Sequence, residues 1–229
     1  MRVAVLTGAG ISAESGVPTF TGEDGLWKHY RPEELATPKA FRKNPVTVWE
    51  WYLWRRSIIA KAEPNRGHMG LVELENLLGD NFLLITQNVD GLHQKAGSKR
   101  MVELHGNIWR VRCLSCGALY EDRRVQSEEL PLRCKECGGI VRPDVVWYGE
   151  ALPEEALETA MLWASSCNLF AVIGTSAKVY PAAELPYIAK RSSAKVVEIN
   201  PEETPVSDIA DLVIREPASK GVKKLLQML

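Results

Sequence analysis

Two closely spaced pairs of cysteines constrain this chain more than any other feature of its sequence. Cys113 and Cys116 form the first pair, and Cys134 and Cys137 form the second. Four thiolates at this spacing can surround one Zn2+ tetrahedrally, and the intervening segment, residues 117–133, is about as long as a small zinc ribbon needs. Four cysteine ligands close the coordination shell and leave no position for a metal-bound water. The sequence therefore predicts one structural zinc ion that does no chemistry.

A zinc ribbon that binds nucleic acid is the alternative interpretation of this motif. However, the loop from Leu114 to Arg133 carries charges of both signs, and the 229-residue chain has a formal net charge of −1. This balance gives no general electrostatic reason to bind DNA or a membrane surface. No apolar run approaches the roughly 20 residues that a membrane span needs. We therefore expect neither direct nucleic-acid binding nor membrane association.

The remaining cysteine and the first residues indicate the cellular compartment. Five cysteines, four of them in the metal pairs, fit a reducing environment better than a disulfide scaffold. Cys167 is left over, and we expect it to be a small core residue. The segment Met1–Thr7 lacks the apolar region and the cleavage site of a signal peptide, and it resembles a buried strand. These features predict a cytoplasmic protein.

Short apolar segments alternate with helical segments along much of the chain. The predicted strands are Val3–Thr7, Phe82–Thr86, Leu169–Ile173 and Lys195–Ile199. Apolar strands that alternate with helices are typical of a parallel sheet with helices on both faces, so we predict a Rossmann-like α/β fold. The strands end in the small and polar sequences GAGIS, QNVD, GTS and NP. Because ligands bind beyond the carboxyl ends of such strands, these sequences predict a ligand site.

Two insertions interrupt the predicted sheet. Residues 27–64 are helical and rich in aromatic side chains, and residues 112–141 contain the cysteine pairs. We predict that this helical insertion and the zinc ribbon form one small domain. Residues 1–26, 65–111 and 142–229 would form the larger domain, and the cleft between the two is the expected active site.

The first strand is followed by a glycine turn of the kind that binds nucleotides. Residues 8–13 fit the pattern G-x-G-x-x-A, in which the backbone approaches a pyrophosphate at a helix N-terminus. The acidic residue that a dehydrogenase uses to bind a ribose is missing from the end of a second strand. Glu33 and Glu34 lie at about the right distance along the chain, but in the helical insertion. A hydride-transfer dehydrogenase is therefore disfavoured.

One histidine is a candidate general base. His105 lies between the QNVD segment and the cysteine pairs, at the expected cleft, and a histidine with a near-neutral pKa suits proton transfer. For the other histidines, His29, His68 and His93, we expect a surface position or a hydrogen-bonded position in the core. The polar residues Gln87, Asn88 and Asp90 end a buried strand. They either cap the following helix or bind a ligand, and the two roles are compatible.

The motifs together, in their order along the chain, resemble those of the sirtuins, which are NAD-dependent protein lysine deacylases. The resemblance runs from about Val3 to Ala218 and rests on GAGIS, SGVPTF, QNVDGLH, ELHG, the cysteine pairs, GTS and a late asparagine. It implies a Rossmann domain that binds NAD as a co-substrate and a smaller lobe that completes a cleft for acyl-lysine proteins. The implied products are nicotinamide, deacylated lysine and O-acyl-ADP-ribose. A monomer suffices for this chemistry.

The resemblance also implies roles for individual residues. His105 would be the catalytic base and Asn88 would act beside it. The residues implied to contact NAD are Gly8, Ala9, Gly10, Ile11, Ser12, Phe20, Trp27, Gln87, Asn88, Val89, Asp90, Gly174, Thr175, Ser176, Asn200, Pro201, Glu202 and Ala218. Val146, Trp147 and Tyr148 belong to a segment, residues 145–150, that resembles the strand with which the substrate peptide pairs.

Two residues of the helical insertion indicate which acyl group is removed. Tyr52 and Arg55 are three residues apart on a predicted helix, so their side chains share one face. The segment resembles the class of sirtuins that removes succinyl and malonyl groups, in which such a pair binds the distal carboxylate. The alternative is a Trp-rich helix that packs its lobe and leaves Arg55 exposed. We favour carboxylate binding, and we expect deacetylation to persist.

One position departs from the resemblance, and two other functions stay open. Sirtuins typically carry Arg directly after the Phe of the SGxPxF motif, whereas this chain has Thr21. The loss of a charge-assisted contact near phosphate and ribose predicts weaker NAD binding or slower turnover. The alternative functions are a protein mono-ADP-ribosyltransferase that uses the same cleft and a zinc-stabilised module that binds NAD without catalysis. The presence of His105, Asn88 and Asp90 argues against the second.

Overall fold

The computed structural model describes residues 1–229, which form nine strands and nine α-helices. The strands are β1 (Val3–Thr7), β2 (Phe82–Thr86), β3 (Met101–Glu103), β4 (Gly106–Cys113), β5 (Leu119–Glu121), β6 (Val141–Val145), β7 (Leu169–Ile173), β8 (Lys195–Ile199) and β9 (Leu212–Ile214). The helices are α1 (Gly10–Ala13), α2 (Pro32–Leu35), α3 (Pro38–Lys43), α4 (Pro45–Ile59), α5 (Arg66–Leu78), α6 (Leu92–Ala96), α7 (Glu154–Ala164), α8 (Leu185–Arg191) and α9 (Ala218–Leu226). The four predicted strands are confirmed with their predicted bounds.

Six strands form one parallel sheet in the order β3-β2-β1-β7-β8-β9. The last residue of β1, Thr7, lies opposite Thr86 of β2 and Ile173 of β7, and Ile173 lies opposite Ile199 of β8. These four strands therefore end at the same level. The turns that follow them meet at one edge of the sheet, where ligands bind in folds of this kind.

The large sheet is buried on both faces, which explains its continuous apolar strands. Side chains alternate between the faces with the two-residue period of a strand. Val3 and Val5 share an apolar cluster with α5 and α9. Ala4 and Leu6 share another cluster with α7 and α8. The predicted Rossmann-like sheet with helices on both faces is therefore confirmed.

A second, three-stranded antiparallel sheet in the order β5-β4-β6 belongs to the small lobe. A cluster of 23 buried residues joins this sheet to the helices of the aromatic insertion. The Trp49 indole on α4 donates a 2.8 Å hydrogen bond to the Val141 carbonyl on β6. Arg56, also on α4, forms a buried 2.9 Å ion pair with Asp122, just beyond β5. The helical insertion and the cysteine-containing segment thus share one core, while the domain boundaries given above stay a prediction.

The structure corrects the predicted strand at residues 145–150. Strand β6 ends at Val145, and the following segment forms a turn in which Gly149 adopts a left-handed conformation with φ of 86°. The Glu150 carboxylate accepts a 2.8 Å hydrogen bond from the Trp147 amide and so closes the turn. The Val146 amide still donates to the His105 carbonyl at 2.9 Å, but the Trp147 amide bonds within the turn, so the backbone pairing ends there. Among the helices, none has both the length and the apolar character that a bilayer-spanning segment needs.

Candidate active site

The glycine turns after β1 and β7 pack directly against each other. The Gly8 amide donates to the Ile173 carbonyl at 3.0 Å, and the Gly10 amide donates to the Gly174 carbonyl at 2.7 Å. A Cβ atom at position 10 would lie 2.7 Å from the Gly174 Cα, and Gly174 itself has a φ of 62°. Glycine is therefore required at both positions for the close approach of the two backbones. The helix that follows, α1, is a single turn.

Three amide side chains connect the ends of β1, β2, β7 and β8. Gln87 donates to the Thr175 hydroxyl at 3.0 Å, and Asn88 donates to the Gly8 carbonyl at 3.0 Å. Asn200 donates to the Thr175 carbonyl at 3.1 Å. The structure therefore brings together the four polar motifs that the sequence placed far apart.

The other residues predicted to contact NAD occupy several environments around these turns. The Ile11 side chain is fully buried in the core, so any contact that it makes with a ligand comes from its backbone. Ala218 begins α9 and is buried, whereas Pro201 and Glu202 are exposed beyond β8. The half-buried residues are Ala9, Phe20, Trp27, Val89 and Ser176.

His105 has a defined proton arrangement. Its Nδ1 lies 3.1 Å from the carbonyl oxygen of Gln87, which can only accept, so Nδ1 carries the proton. The lone pair of Nε2 is consequently free to take a proton from another group. Burial lowers the pKa of His105 below 6.5, and the hydrogen bond to Gln87 partly offsets this effect. The next residue, Gly106, allows β4 to approach β6, because a Cβ there would lie 2.1 Å from the Asp144 carbonyl oxygen.

Asp90 both caps a helix and extends the polar network. One carboxylate oxygen accepts a 2.9 Å hydrogen bond from the Leu92 amide at the start of α6, so the predicted capping occurs. The other accepts a 2.7 Å hydrogen bond from the Ser12 hydroxyl. Burial raises the pKa of Asp90, and these two hydrogen bonds and the nearby charge of Arg55 oppose that rise.

His68 is a member of this network that the sequence analysis treated as ordinary. Its Nδ1 accepts a hydrogen bond from the Asn65 amide at 3.1 Å, so its Nε2 carries the proton and donates to the Ser12 hydroxyl at 3.2 Å. Ser12 is thereby held between His68 and Asp90. Burial lowers the pKa of His68 to about 4, which keeps the ring neutral at pH 7. The only sequence signal is the capping-box spacing between Asn65 and His68.

His93 supports the backbone of Asn88 through two threonines. The Thr7 hydroxyl donates to the Thr86 hydroxyl at 2.9 Å and accepts from Nε2 of His93 at 2.9 Å. The Thr86 oxygen also accepts from the Asn88 amide at 3.0 Å. His93 is buried, which agrees with the expected position in the core, but its Nδ1 has no hydrogen-bond partner. Burial lowers the pKa of His93 to about 3. The third histidine of this group, His29, is exposed.

The pair on α4 lies inside the protein. Tyr52 is 2% exposed and Arg55 is 7% exposed, so the alternative of an exposed Arg55 is wrong. The Arg55 guanidinium lies 4.7 Å from the centre of the Phe20 ring and 5.0 Å from that of Trp51, and it forms no ion pair with a carboxylate. Burial lowers the pKa of Arg55, and the nearby Tyr52 and Asp90 partly oppose this effect. A buried guanidinium without a carboxylate is costly, which favours an anionic ligand.

Trp27 lies at the centre of a cluster of aromatic rings. Trp27 lies 5.2 Å from Phe20, 5.6 Å from Trp51 and 6.4 Å from Tyr148, measured between ring centres. Tyr148 is 49% exposed, Val146 is half-buried, and the Trp147 side chain is buried. Through Tyr148, the predicted peptide-binding segment therefore meets the same aromatic cluster as Arg55, whereas the Trp147 side chain is buried.

The four paired cysteines lie together in the small lobe. Their sulfur atoms are within 4.8 Å of one another, and they belong to Cys113, Cys116, Cys134 and Cys137. Two of these separations are 3.5 and 3.8 Å, close to the roughly 3.8 Å that a tetrahedron with Zn–S bonds of about 2.3 Å requires. Backbone amides, including those of Ser115 and Gly139, donate to the sulfurs at 3.3 and 3.4 Å and so favour thiolates. The predicted site for one structural zinc ion is confirmed.

The family model described as the Sir2 family matches residues 8–181. The chain belongs to the Sir2 family. Among curated Sir2-family relatives, an NAD-dependent protein deacylase of Aquifex aeolicus is 56% identical over 229 residues, covering 100% of this chain and 95% of that protein. NAD-dependent protein deacylase 1 of Caldanaerobacter subterraneus is 57% identical over 220 residues, covering 96% of this chain and 90% of that protein.

Solved Sir2 structures are similar over almost the whole chain. A Sir2 homologue in complex with NAD has a TM-score of 0.91 and 48% identity, covering 99% of this chain and 88% of that one. A Sir2 protein with a p53 peptide and NAD+ has a TM-score of 0.87 and 35% identity, covering 99% of this chain and 92% of that one. The predicted sirtuin family is confirmed, while the roles of individual residues stay predictions.

Proposed function

We propose that this Sir2-family chain is an NAD-dependent protein lysine deacylase that removes both acetyl groups and acyl groups ending in a carboxylate. The observation that carries the catalytic part is the His105 geometry at the strand ends, where Nδ1 is held by the Gln87 carbonyl and Nε2 is free. The names of the close relatives support the same activity. The substrates would be acyl-lysine side chains of proteins.

The residues at the strand ends fit a nucleotide co-substrate. Gln87, Asn88 and Asn200 hold the turns that contain Gly8 and Thr175, so these turns keep one shape before a ligand arrives. NAD, when bound, supplies the ribose carbon that accepts the acyl oxygen, and nicotinamide as the leaving group. Pre-formed turns reduce the ordering cost of binding such a ligand.

The part of His105 is proton transfer. Because its Nδ1 proton is engaged with Gln87, its Nε2 can remove a proton from a ribose hydroxyl, and it stays neutral at pH 7. The partial burial of the ring strengthens electrostatic interactions around it. Asn88, whose side chain and amide are both hydrogen-bonded, would fix the orientation of the ribose next to it.

Arg55 and Tyr52 would recognise the distal carboxylate of a succinyl or malonyl group. The guanidinium is buried, carries no ion pair, and stands beside aromatic rings that exclude water. A carboxylate would complete the missing ion pair and relieve the cost of burying the charge. An acetyl group is smaller and would enter the same pocket without this contact.

The test compares matched acetyl-lysine and succinyl-lysine peptides by mass spectrometry, with and without NAD. In wild type we expect NAD-dependent loss of both acyl groups. Arg55→Met removes the guanidinium, and we expect kcat/KM for the succinyl peptide to fall about 30-fold or more, equivalent to about 2 kcal/mol, while deacetylation persists. His105→Tyr should abolish both reactions.

Other results would contradict part or all of the proposed activity. Deacetylation without desuccinylation would keep the deacylase and reduce Tyr52 and Arg55 to packing residues. If neither peptide changed with NAD, the deacylase proposal would be wrong. Radiolabelled NAD in the same reactions would reveal any ADP-ribose transferred to protein, which is the competing transferase activity.

A further inference from the structure

The turn after β6 reaches the acyl pocket through a buried tryptophan. The Trp147 indole donates a 2.9 Å hydrogen bond to the Tyr52 hydroxyl, 95 residues away in sequence. An indole N–H can only donate, so the Tyr52 oxygen is the acceptor in this pair. The hydroxyl hydrogen of Tyr52 therefore stays available for a different acceptor.

Trp147 is itself held on its face. The Arg142 guanidinium lies 3.6 Å from the centre of the Trp147 ring, which is close stacking for a cation and an indole. Arg142 binds both carboxylate oxygens of Glu150, and it also donates to the Val145 carbonyl at 2.8 Å. Such a bidentate pair sets the plane of the guanidinium and hence that of the ring stacked on it.

Glu150 closes this arrangement on the backbone of the same tryptophan. Its carboxylate accepts from the Trp147 amide at 2.8 Å while it holds Arg142. Burial raises the pKa of Glu150, but the hydrogen bonds from Arg142 and Trp147 outweigh this and leave the pKa lowered. The carboxylate therefore stays ionised at neutral pH. Both the position and the tilt of the Trp147 ring are consequently determined by charged neighbours.

We propose that Trp147 is a positioning residue for acyl selection, and that Arg142 and Glu150 hold it in place. By occupying the acceptor side of the Tyr52 hydroxyl, Trp147 turns the hydroxyl hydrogen toward an acyl carboxylate bound at Arg55. This inference rests on the carboxylate pocket proposed above. It assigns the choice of acyl group to residues 142–150, which are the end of β6 and the turn after it, as well as to α4.

The turn after β6 would connect peptide binding to acyl selection. Val146 and Tyr148 border the cleft on either side of Trp147, and the Tyr148 amide donates to the Ala36 carbonyl of the helical insertion at 3.0 Å. One short turn thus contacts the expected path of the peptide and also orients the tyrosine at the acyl end. A peptide that shifts this turn would change the acyl preference.

The test uses the ratio of kcat/KM for succinyl and acetyl peptides, because losses common to both peptides cancel in it. Trp147→Phe keeps a ring but removes the indole N–H, and we expect the ratio to fall about 5- to 10-fold. Trp49→Phe is the matched control, because Trp49 is buried in the same lobe and its indole donates to a backbone carbonyl at 2.8 Å. For Trp49→Phe the ratio should stay within about twofold of wild type.

A double-mutant cycle separates positioning from general support of the lobe. If Trp147 acts through the tyrosine hydroxyl, Trp147→Phe should leave the ratio unchanged in a Tyr52→Phe background. Calorimetric titration without NAD measures the affinity for the succinyl peptide directly. For Trp147→Phe, this affinity should fall by the same factor as the kcat/KM ratio. An equal fall for both peptides, or a further fall in the Tyr52→Phe background, would overturn the proposal.

Further variants separate a folding defect, a failure of the carboxylate pocket and a failure of the role of Trp147. If Trp147→Phe does not fold, Arg142→Lys replaces it as the test variant. Lysine keeps the positive charge but cannot form the bidentate pair with Glu150. An unchanged kcat/KM ratio in Arg142→Lys would overturn the proposal. If Arg55→Met leaves desuccinylation intact, the carboxylate pocket itself has failed. If Arg55→Met abolishes desuccinylation but Trp147→Phe has no effect on the ratio, only the role of Trp147 is wrong.

Discussion

The proton on His105 is placed by one backbone carbonyl, that of Gln87 at the end of β2. This contact makes Nε2 the basic nitrogen, and partial burial makes the neutral ring the stable form at pH 7. A base of this kind loses activity only when the solution becomes acidic enough to protonate it. The hydrogen bond to Gln87 determines which nitrogen of His105 is the base, and the pKa of His105 sets the lower limit of the pH range of catalysis.

We expect the acidic limb of the pH profile of kcat/KM to lie below pH 6.5. The pKa of His105 is lowered from 6.5, so activity should fall with a midpoint below pH 6.5, as the pH passes through that lowered pKa. The measurement is deacetylation between pH 5 and 8. His29→Gln, which alters an exposed histidine, is the control and should keep the same limb. A midpoint above pH 6.5 would contradict this assignment.

Thr21 is the residue at which this chain departs from the sirtuin pattern. It is exposed in a compact loop in which the Thr19 hydroxyl donates to the Thr21 carbonyl at 2.9 Å. The Leu26 amide donates back to the Thr19 carbonyl at 2.8 Å. The loop is therefore closed by contacts that do not involve the Thr21 side chain, and a longer side chain there has room.

Thr21→Arg should raise kcat/KM for NAD by about tenfold, because a charge-assisted contact to phosphate or ribose contributes about 1.5–3 kcal/mol. Steady-state kinetics with NAD as the varied substrate and a saturating acetyl peptide measures the change. Thr21→Gln, which is long but neutral, is the matched control and should give a smaller gain. No difference between the two variants would show that charge at this position is unimportant.

At the scale of the element, α4 carries two adjacent arginines with opposite energetic roles. Arg56 pairs with Asp122 at 2.9 Å and donates to the Ile108 carbonyl at 2.8 Å, and its side chain is buried. Arg55 is buried without any such partner. The helix thus uses one arginine to join the lobe together, whereas the other is buried among aromatic rings without an ion pair.

We expect Arg56→Met to lower the free energy of unfolding by about 3 kcal/mol, because it leaves the buried Asp122 with only part of its compensation. Arg55→Met should instead be neutral or stabilising by about 1 kcal/mol, since it removes a buried charge that forms no ion pair. Urea denaturation of both variants measures the difference. A strong destabilisation by Arg55→Met would show that its cation–π contacts, and not a ligand, explain its burial.

At the scale of the whole molecule, the zinc site supports one wall of the cleft. The cysteine pairs close the small sheet, and that sheet shares its core with α4, which carries Tyr52 and Arg55. The large sheet has two apolar clusters of its own. Loss of the metal should therefore disturb the small lobe and the acyl pocket first, although the zinc site is separate from the catalytic residues.

Cys134→Ser should abolish binding of one zinc ion per chain and lower deacylase activity at least about tenfold, because structural zinc contributes folding free energy. Metal analysis, circular dichroism and activity assays check these three effects. Cys167→Ala alters a buried cysteine of the large lobe and should keep the zinc content of wild type. Full activity in metal-free Cys134→Ser would show that the small lobe keeps its shape without zinc.

Features that depend only on residues close together in the sequence could be predicted from it. The bounds of β1, β2, β7 and β8 follow from continuous apolar runs, and the zinc site follows from two local cysteine pairs with fixed spacing. The end of β6 could not be predicted, because it depends on whether the Glu150 carboxylate turns back onto the Trp147 amide. No local pattern distinguishes that turn from a continuing strand.

The sequence by itself determined the family, the parallel sheet, the metal site and the polar residues at the strand ends. Only the tertiary structure decided how these residues are held, because the deciding contacts join residues far apart in the chain. Ser12 meets His68 and Asp90, and Tyr52 meets Trp147. Composition and periodicity report which face of an element is buried, whereas a hydrogen bond between two elements depends on how they pack.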